Sequence, residues 1–162
     1  MGSMNAEAII GTRGPRRNRP RLRLSSPFRY HFVMWRSDET TPLSRTCGLG
    51  KALGDATRVR ALLALEKGEV CLCQLIDLLE LAPSTVSRHL DLLHRAGLVR
   101  RRKEGRWHYF RLAGEEAPAE VRDALRWTLA AVSKDPRIRA DRRRLREVLA
   151  KDPREVAACY RG

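Results

Sequence analysis

Residues 71–112 read CLCQLIDLLELAPSTVSRHLDLLHRAGLVRRRKEGRWHYFRL. Leu75, Ile76, Leu78 and Leu79 predict a short apolar helix from about Cys71 to Glu80. Leu81-Ala82 is the turn that follows. Pro83 suits the first position of a second helix, where its missing N–H has no intrahelical partner in any case. That helix runs to Arg95, buries Val86, Leu90 and Leu93, and stops at Gly97. Two short helices joined by a tight turn form a helix-turn-helix. Leu98–Lys103 and Arg106–Leu112 then read as two strands around Glu104-Gly105, with Trp107, Tyr109 and Phe110 as β-formers. The hairpin is a wing. The expected fold class is mainly α with a β-hairpin wing (α+β), a winged helix-turn-helix.

The second helix of the pair presents Ser84, Thr85, Ser87, Arg88 and His89 in its first turns. Small hydroxyls and one long cation let a helix N-terminus come close to phosphates and base edges. These five are the candidate reading residues; packing of His89 under the wing is the alternative for that side chain. Arg101, Arg102, Lys103 and Arg106 cluster at the hairpin tip, where they would neutralise phosphates.

Outward from this stretch, Leu49, Leu53, Val59, Leu62, Leu63 and Leu65 form a helical face interrupted near Gly54-Asp55. Asp55 or Thr57 is the expected cap of the second half, and Gly68 its end. Two more helices are expected, about Pro118–Ser133 and Pro136–Ala158. Val121, Leu125, Leu129 and Val132 share a face of the first and are the expected subunit contact. Residues 1–40 hold Pro15, Pro20, Pro27 and the run GPRRNRPRLR, with neither helical nor strand period. They read as an Arg-rich leader that is disordered, a tag or an upstream extension; a DNA-contacting arm and a transit peptide are the other readings. The expected organisation is thus 1–40 leader, 41–135 winged-helix and dimerisation domain, and 136–162 C-terminal helix and tail.

With 162 residues and a formal charge of +14, the chain is one domain's worth and calls for an anionic partner. Residues 1–36 carry eight Arg and one acid, 37–97 seven basic and eight acidic residues, and 98–162 eighteen basic and ten acidic. The middle is an ordinary folded core; the excess charge lies in head, hairpin and tail. No run of 18 apolar residues is present, which excludes a transmembrane helix and leaves no membrane partner. No Gly-rich phosphate loop, zincin box or Ser-His-Asp context marks an enzyme; a thiol enzyme acting through Cys71 is the least favoured reading.

Four cysteines occur: Cys47, Cys71, Cys73 and Cys159. Residues 1–30 lack the apolar core of a secretion signal, so a reducing, cytoplasmic and bacterial setting is expected, where thiols favour metals over disulfides. Cys71 and Cys73 are poorly spaced for a disulfide. In a regular helix two residues i and i+2 point about 200° apart. They can share one ion only on an unwound first turn, or if binding unwinds that turn. A helix N-terminus would also lower their pKa and supply thiolate. Ligation would then distort the helix packed against the reader.

The segments ALGDATRVRALLAL, EVCLCQL and STVSRHLDLLHRAGLVRRRKEGRWHYFRL, and more loosely SKDPRIRADRRRLREVLA, resemble the arsenical-resistance repressor family (ArsR/SmtB) over about residues 49–150. The resemblance implies a homodimeric winged-helix repressor that binds double-stranded operator DNA and releases it when an inducer binds. EVCLCQL resembles the ELCVCDL box of arsenic- and cadmium-type sensors. It implies As(III), or Sb(III), as inducer on three thiolates; Cd(II), Pb(II) or Zn(II) sensing and thiol redox sensing are the alternatives, and no cofactor is needed for folding. In some arsenic sensors a third cysteine follows the second by three residues; here Ile76 stands there. Cys159 resembles the C-terminal cysteines of another arsenic-sensor subgroup and is the first choice for third ligand. Cys47, from the partner subunit as in cadmium-type sensors, is the second. Residues 117–133 contain no His, which disfavours the family's zinc site on the dimer helix.

Overall fold

A computed structural model describes residues 41–158. The leader and Cys159 lie outside the described residues. The elements are α1 (Pro42–Leu53), α2 (Ala56–Ala64), β1 (Val70–Cys71), α3 (Leu72–Leu79), α4 (Pro83–Arg95), β2 (Val99–Glu104), β3 (Trp107–Leu112), α5 (Ala119–Ala131), α6 (Pro136–Leu149) and α7 (Pro153–Ala158). The fold is a winged helix-turn-helix, as the pattern predicts.

Local chemistry sets the boundaries. Asp55 caps α2 by accepting from the Arg58 N–H at 2.9 Å. Arg58 in turn donates to Ala52 and Lys51 carbonyls at 2.6 and 2.7 Å, satisfying the end of α1. Helix α2 stops at Ala64, earlier than Gly68 suggests, and a turn fills the gap. Gly97, at φ +77°, closes α4 so that the Leu98 N–H reaches the Leu93 carbonyl at 3.0 Å and turns the chain into β2. The wing loop is Gly105-Arg106, with Glu104 paired to Trp107; Gly105 at φ +57° occupies the first loop position, which a two-residue hairpin fills with glycine. The C-terminal helix expected as one piece is two, because Asp152-Pro153 cannot continue a helix without losing an N–H.

The core is one contiguous cluster. Leu62, Leu75, Leu78, Leu90, Leu93 and Leu98 are fully buried in it, each worth roughly 1.5–3 kcal/mol relative to exposure. Leu145 of α6 joins it. Three side chains of α6 fasten it through four ion pairs: Asp141 to Arg60 of α2 at 2.6 Å, Arg142 to Glu66 at 2.7 Å, and Arg144 to both Asp77 and Glu80 at the end of α3.

Of the expected subunit face, Leu129 and Val132 are half-buried. Val121 and Leu125 are buried in this chain's own core, because α5 packs back on α1 and α2. The large apolar side chains left exposed nearby are Trp127 of α5, 68% exposed, and Leu43 of α1, 74% exposed. No helix among the described residues is long and apolar enough to cross a membrane.

The sheet holds the main addition. β1 is only two residues, yet it pairs antiparallel with β3 (Val70 with Phe110, Cys71 with Tyr109), giving a three-stranded sheet in the order β1-β3-β2. The first cysteine is therefore part of the wing's sheet.

Candidate functional site

Cys71 is both the last residue of β1 and the N-cap of α3, with extended φ −70°, ψ 148°. Cys73 lies in the first turn. The extended residue removes the 200° divergence of a regular helix, and the two Sγ atoms stand 3.0 Å apart, Cys73 donating to Cys71. Of the two arrangements open from spacing alone, the thiols adopt the one that is already unwound. Gln74 fixes it: its Oε1 accepts the Cys71 N–H at 3.1 Å and its side chain is buried.

The pair is enclosed. Cys71 is 1% and Cys73 7% exposed; they cluster with Val156 of α7, and Trp107 and Tyr109 of β3 pack against them. Burial is the largest cause of a raised Cys73 pKa, followed by the hydrogen bond to and charge of Cys71, and the thiol is pushed up to about 12. The lowering expected from a helix N-terminus is overridden at Cys73, since α3 is only eight residues and the site is desolvated. The Tyr109 phenol is also raised, by burial first and then by Cys71.

Two thiolates on one tetrahedral ion with metal–sulfur bonds of ~2.3 Å would stand about 3.8 Å apart. The observed separation needs to widen by less than an ångström. Among the described residues no third His, Cys, Asp or Glu joins the pair. Cys47 is exposed on α1 and is not part of such a group. Cys159 follows Val156, which covers the pair, by three residues.

The reading helix presents Ser84, Thr85, Ser87 and Arg88 to solvent, while Val86 and Leu90 are buried. Ala82 offers α4 no side-chain cap, which leaves its N-terminus without a side-chain acceptor. His89 is half-buried, with Nδ1 3.5 Å from Arg58 and 3.8 Å from Asp55 at the α1–α2 junction. Burial opposes ionisation of Asp55, but the Arg58 N–H and the charges of Arg58 and His89 outweigh it and hold this carboxyl below its usual range.

In the wing, Arg101, Lys103 and Arg106 are exposed, and no acid pairs with Arg88, Arg101, Lys103 or Arg106 among the described residues. Arg106 lies over the Trp107 ring at 5.2 Å. Arg102 differs from these in having acidic partners. Its guanidinium donates to Glu69 at 2.8 and 2.9 Å and to Glu104, and lies 4.4 Å from the Tyr109 ring centroid.

Sequence reasoning missed Gln74, Glu69, Tyr109 and Val156 as parts of the site. Gln74 had a signal: an N-cap residue followed three positions later by Glu or Gln is the capping-box spacing. The others had none, because their role depends on β1 pairing with β3.

Residues 55–101 match the family described as bacterial regulatory protein, arsR family. The arsenic resistance transcriptional regulator ArsR2 of Pseudomonas putida is 42% identical over 84 residues, 51% of this chain and 72% of that protein. A cadmium resistance transcriptional regulatory protein, a CadC homolog of Staphylococcus aureus, is 39% identical over 75 residues, 46% of this chain and 62% of that protein. Among solved structures, HlyU of Vibrio cholerae superposes with a TM-score of 0.50 at 27% identity, over 59% of this chain and all of that one.

Proposed function

The chain belongs to the arsR family of bacterial regulatory proteins, winged-helix DNA-binding regulators of transcription rather than enzymes, and we propose that it is a repressor released from operator DNA when As(III), or Sb(III), binds Cys71 and Cys73. The observation that carries this reading is the buried thiol pair, 3.0 Å apart, with one sulfur on a strand of the wing's own sheet. Soft thiolates select soft acceptors. An ion that widens the pair moves Cys71 against β3 or Cys73 against α4, through α3. Either displacement changes the angle between wing and reading helix.

Cys159 supplies the third thiolate. Val156 lies on the pair, and Cys159 follows it by three residues in the sequence. Ser84, Thr85, Ser87 and Arg88 read the major groove, and Arg101, Lys103 and Arg106 hold phosphates. A homodimer through α1 and α5, covering Leu43 and Trp127, would place two reading helices on half-sites about 34 Å apart or a multiple of that.

The test is operator release measured in parallel with arsenite, antimonite, cadmium, lead, zinc and peroxide. Arsenite release is expected in the parent chain, its loss in Cys71→Ser and Cys73→Ser with operator binding retained, a weakened response in Cys159→Ser and none of these effects in Cys47→Ser. A 100-fold preference of the ion for the DNA-free form corresponds to ~2.7 kcal/mol of coupling. Normal arsenite release in the Cys71 and Cys73 variants refutes the sensor; release by peroxide alone makes it a redox switch.

A further inference from the structure

We propose that Arg102 is a positioning residue that couples the thiol pair to the wing, and not a phosphate contact; the proposal rests on the repressor reading above. Side chains alternate along a strand. In the register of the hairpin, Arg101 faces Phe110, Arg102 faces Tyr109 and Lys103 faces His108. Arg101 and Lys103 therefore share one face, and Arg102 stands on the other with Tyr109 and Trp107, the two rings packed on the thiols.

From there Arg102 ties all three strands together. It belongs to β2. Its guanidinium lies on the Tyr109 ring of β3 at 4.4 Å, and its fork holds Glu69, the residue just before β1, through Nε at 2.8 and 2.9 Å and a second nitrogen at 2.6 Å. Glu104 takes a further donor. A planar fork occupied by two carboxylates has little left to offer a phosphate. Arg101 and Lys103 have no such partner among the described residues.

The attachment matters because β1 is so short. Two residue pairs, Val70 with Phe110 and Cys71 with Tyr109, join the thiol strand to the wing. The Glu69–Arg102 pair extends that junction by one residue and carries it across to β2. When an ion draws the sulfurs apart, Cys71 and Glu69 move together, and Arg102 makes β2 follow. Without it the two-residue ladder absorbs part of the displacement.

The experiment compares the parent chain with Arg102→Ala, Glu69→Gln, the swap Glu69→Arg with Arg102→Glu, and Arg101→Ala. Operator affinity is measured across salt concentration, with and without arsenite, and arsenite binding to the DNA-free protein is measured by calorimetry. Arg102→Ala and Glu69→Gln are expected to bind arsenite as the parent does and to keep its salt slope. The factor by which arsenite weakens operator binding should fall about fivefold in both, the lower end of allosteric coupling. The swap should recover part of it, and Arg101→Ala should reduce the salt slope by about one. The proposal is overturned if Arg102→Ala lowers the salt slope like Arg101→Ala, or if both latch variants release as the parent does. If the parent itself is not released by arsenite, the inducer reading falls and this coupling falls with it.

Discussion

The protonated state of Cys73 separates the two classes of inducer by pH alone. Burial and the adjacent Cys71 push this thiol up to about 12. At pH 7 it therefore keeps its proton. Trivalent arsenic meets it as neutral As(OH)3. Each thiol that replaces a hydroxide gives its proton to that hydroxide, and water leaves; three thiols yield As(SR)3 and three waters, with no net proton released. Cadmium arrives as a hydrated dication and must expel a proton from every protonated thiol it binds.

Cadmium affinity should therefore rise with pH by about tenfold per unit for the Cys73 proton alone, and roughly 100-fold between pH 7 and 9. Arsenite affinity should stay flat from pH 6.5 to 8.5. Calorimetry in two buffers of different ionisation enthalpy counts the protons directly. Cys73→Ser should remove one proton from the cadmium count and change nothing in the arsenite count, which is already zero. One or more protons released by arsenite, or an unchanged cadmium count in Cys73→Ser, refutes the reasoning. Stability carries the same shift with a definite sign. The folded thiol keeps its proton above its ordinary value of 9.0, so the unfolded chain loses protons first as pH rises. Stability from this group is full below pH 9 and is lost between about 9 and 12. The melting temperature of Cys73→Ala should fall less over that alkaline range.

Arg88→Ala should cost roughly 1–3 kcal/mol of operator affinity and blunt discrimination between operator and mutated sites if the guanidinium reaches a base; equal losses on both DNAs in a binding titration would place it on phosphate. Asp141→Ala strands the nearly buried Arg60 guanidinium and should lower unfolding free energy by about 3 kcal/mol in urea, detaching α6. Its thiol pair should also become more reactive to an alkylating probe, because α7 follows α6; a silent variant would show that α6 is not what holds α7 down. Trp127→Glu should turn a sedimenting dimer into a monomer at micromolar concentration, and an intact dimer would move the interface off α5.

The reading helix and wing were legible because their signals are local. Val86, Leu90 and Leu93 repeat at helical spacing, Pro83 and Gly97 mark the ends, and Gly105 marks the hairpin loop. Each demands nothing from the rest of the chain. The subunit face was legible only in part, for the opposite reason: Val121 and Leu125 are apolar whether they meet α1 and α2, as they do here, or a second subunit, and periodicity cannot tell these apart. The cysteine pair lies between the two cases. Its residues were visible and so was its conflict with a regular helix. Its resolution was not, since a two-residue strand has no period to detect.

That strand changes how the switch should be pictured. Spacing alone routes a thiol signal through α3 into the packed reading helix, where Leu75, Leu78, Leu90 and Leu93 form a close-packed core that resists small displacements. The sheet offers a softer path. Cys71 meets Tyr109 across a two-pair ladder, and the wing beyond it is an exposed hairpin whose tip bears Arg101, Lys103 and Arg106. A sub-ångström widening at the sulfurs meets less resistance in tilting a hairpin than in repacking a core. Release by wing displacement predicts that the ion lowers phosphate contacts before base contacts, so the arsenite-bound form should show a smaller salt slope on any DNA, operator or not. An unchanged slope with lost operator preference would return the signal to α3 and α4.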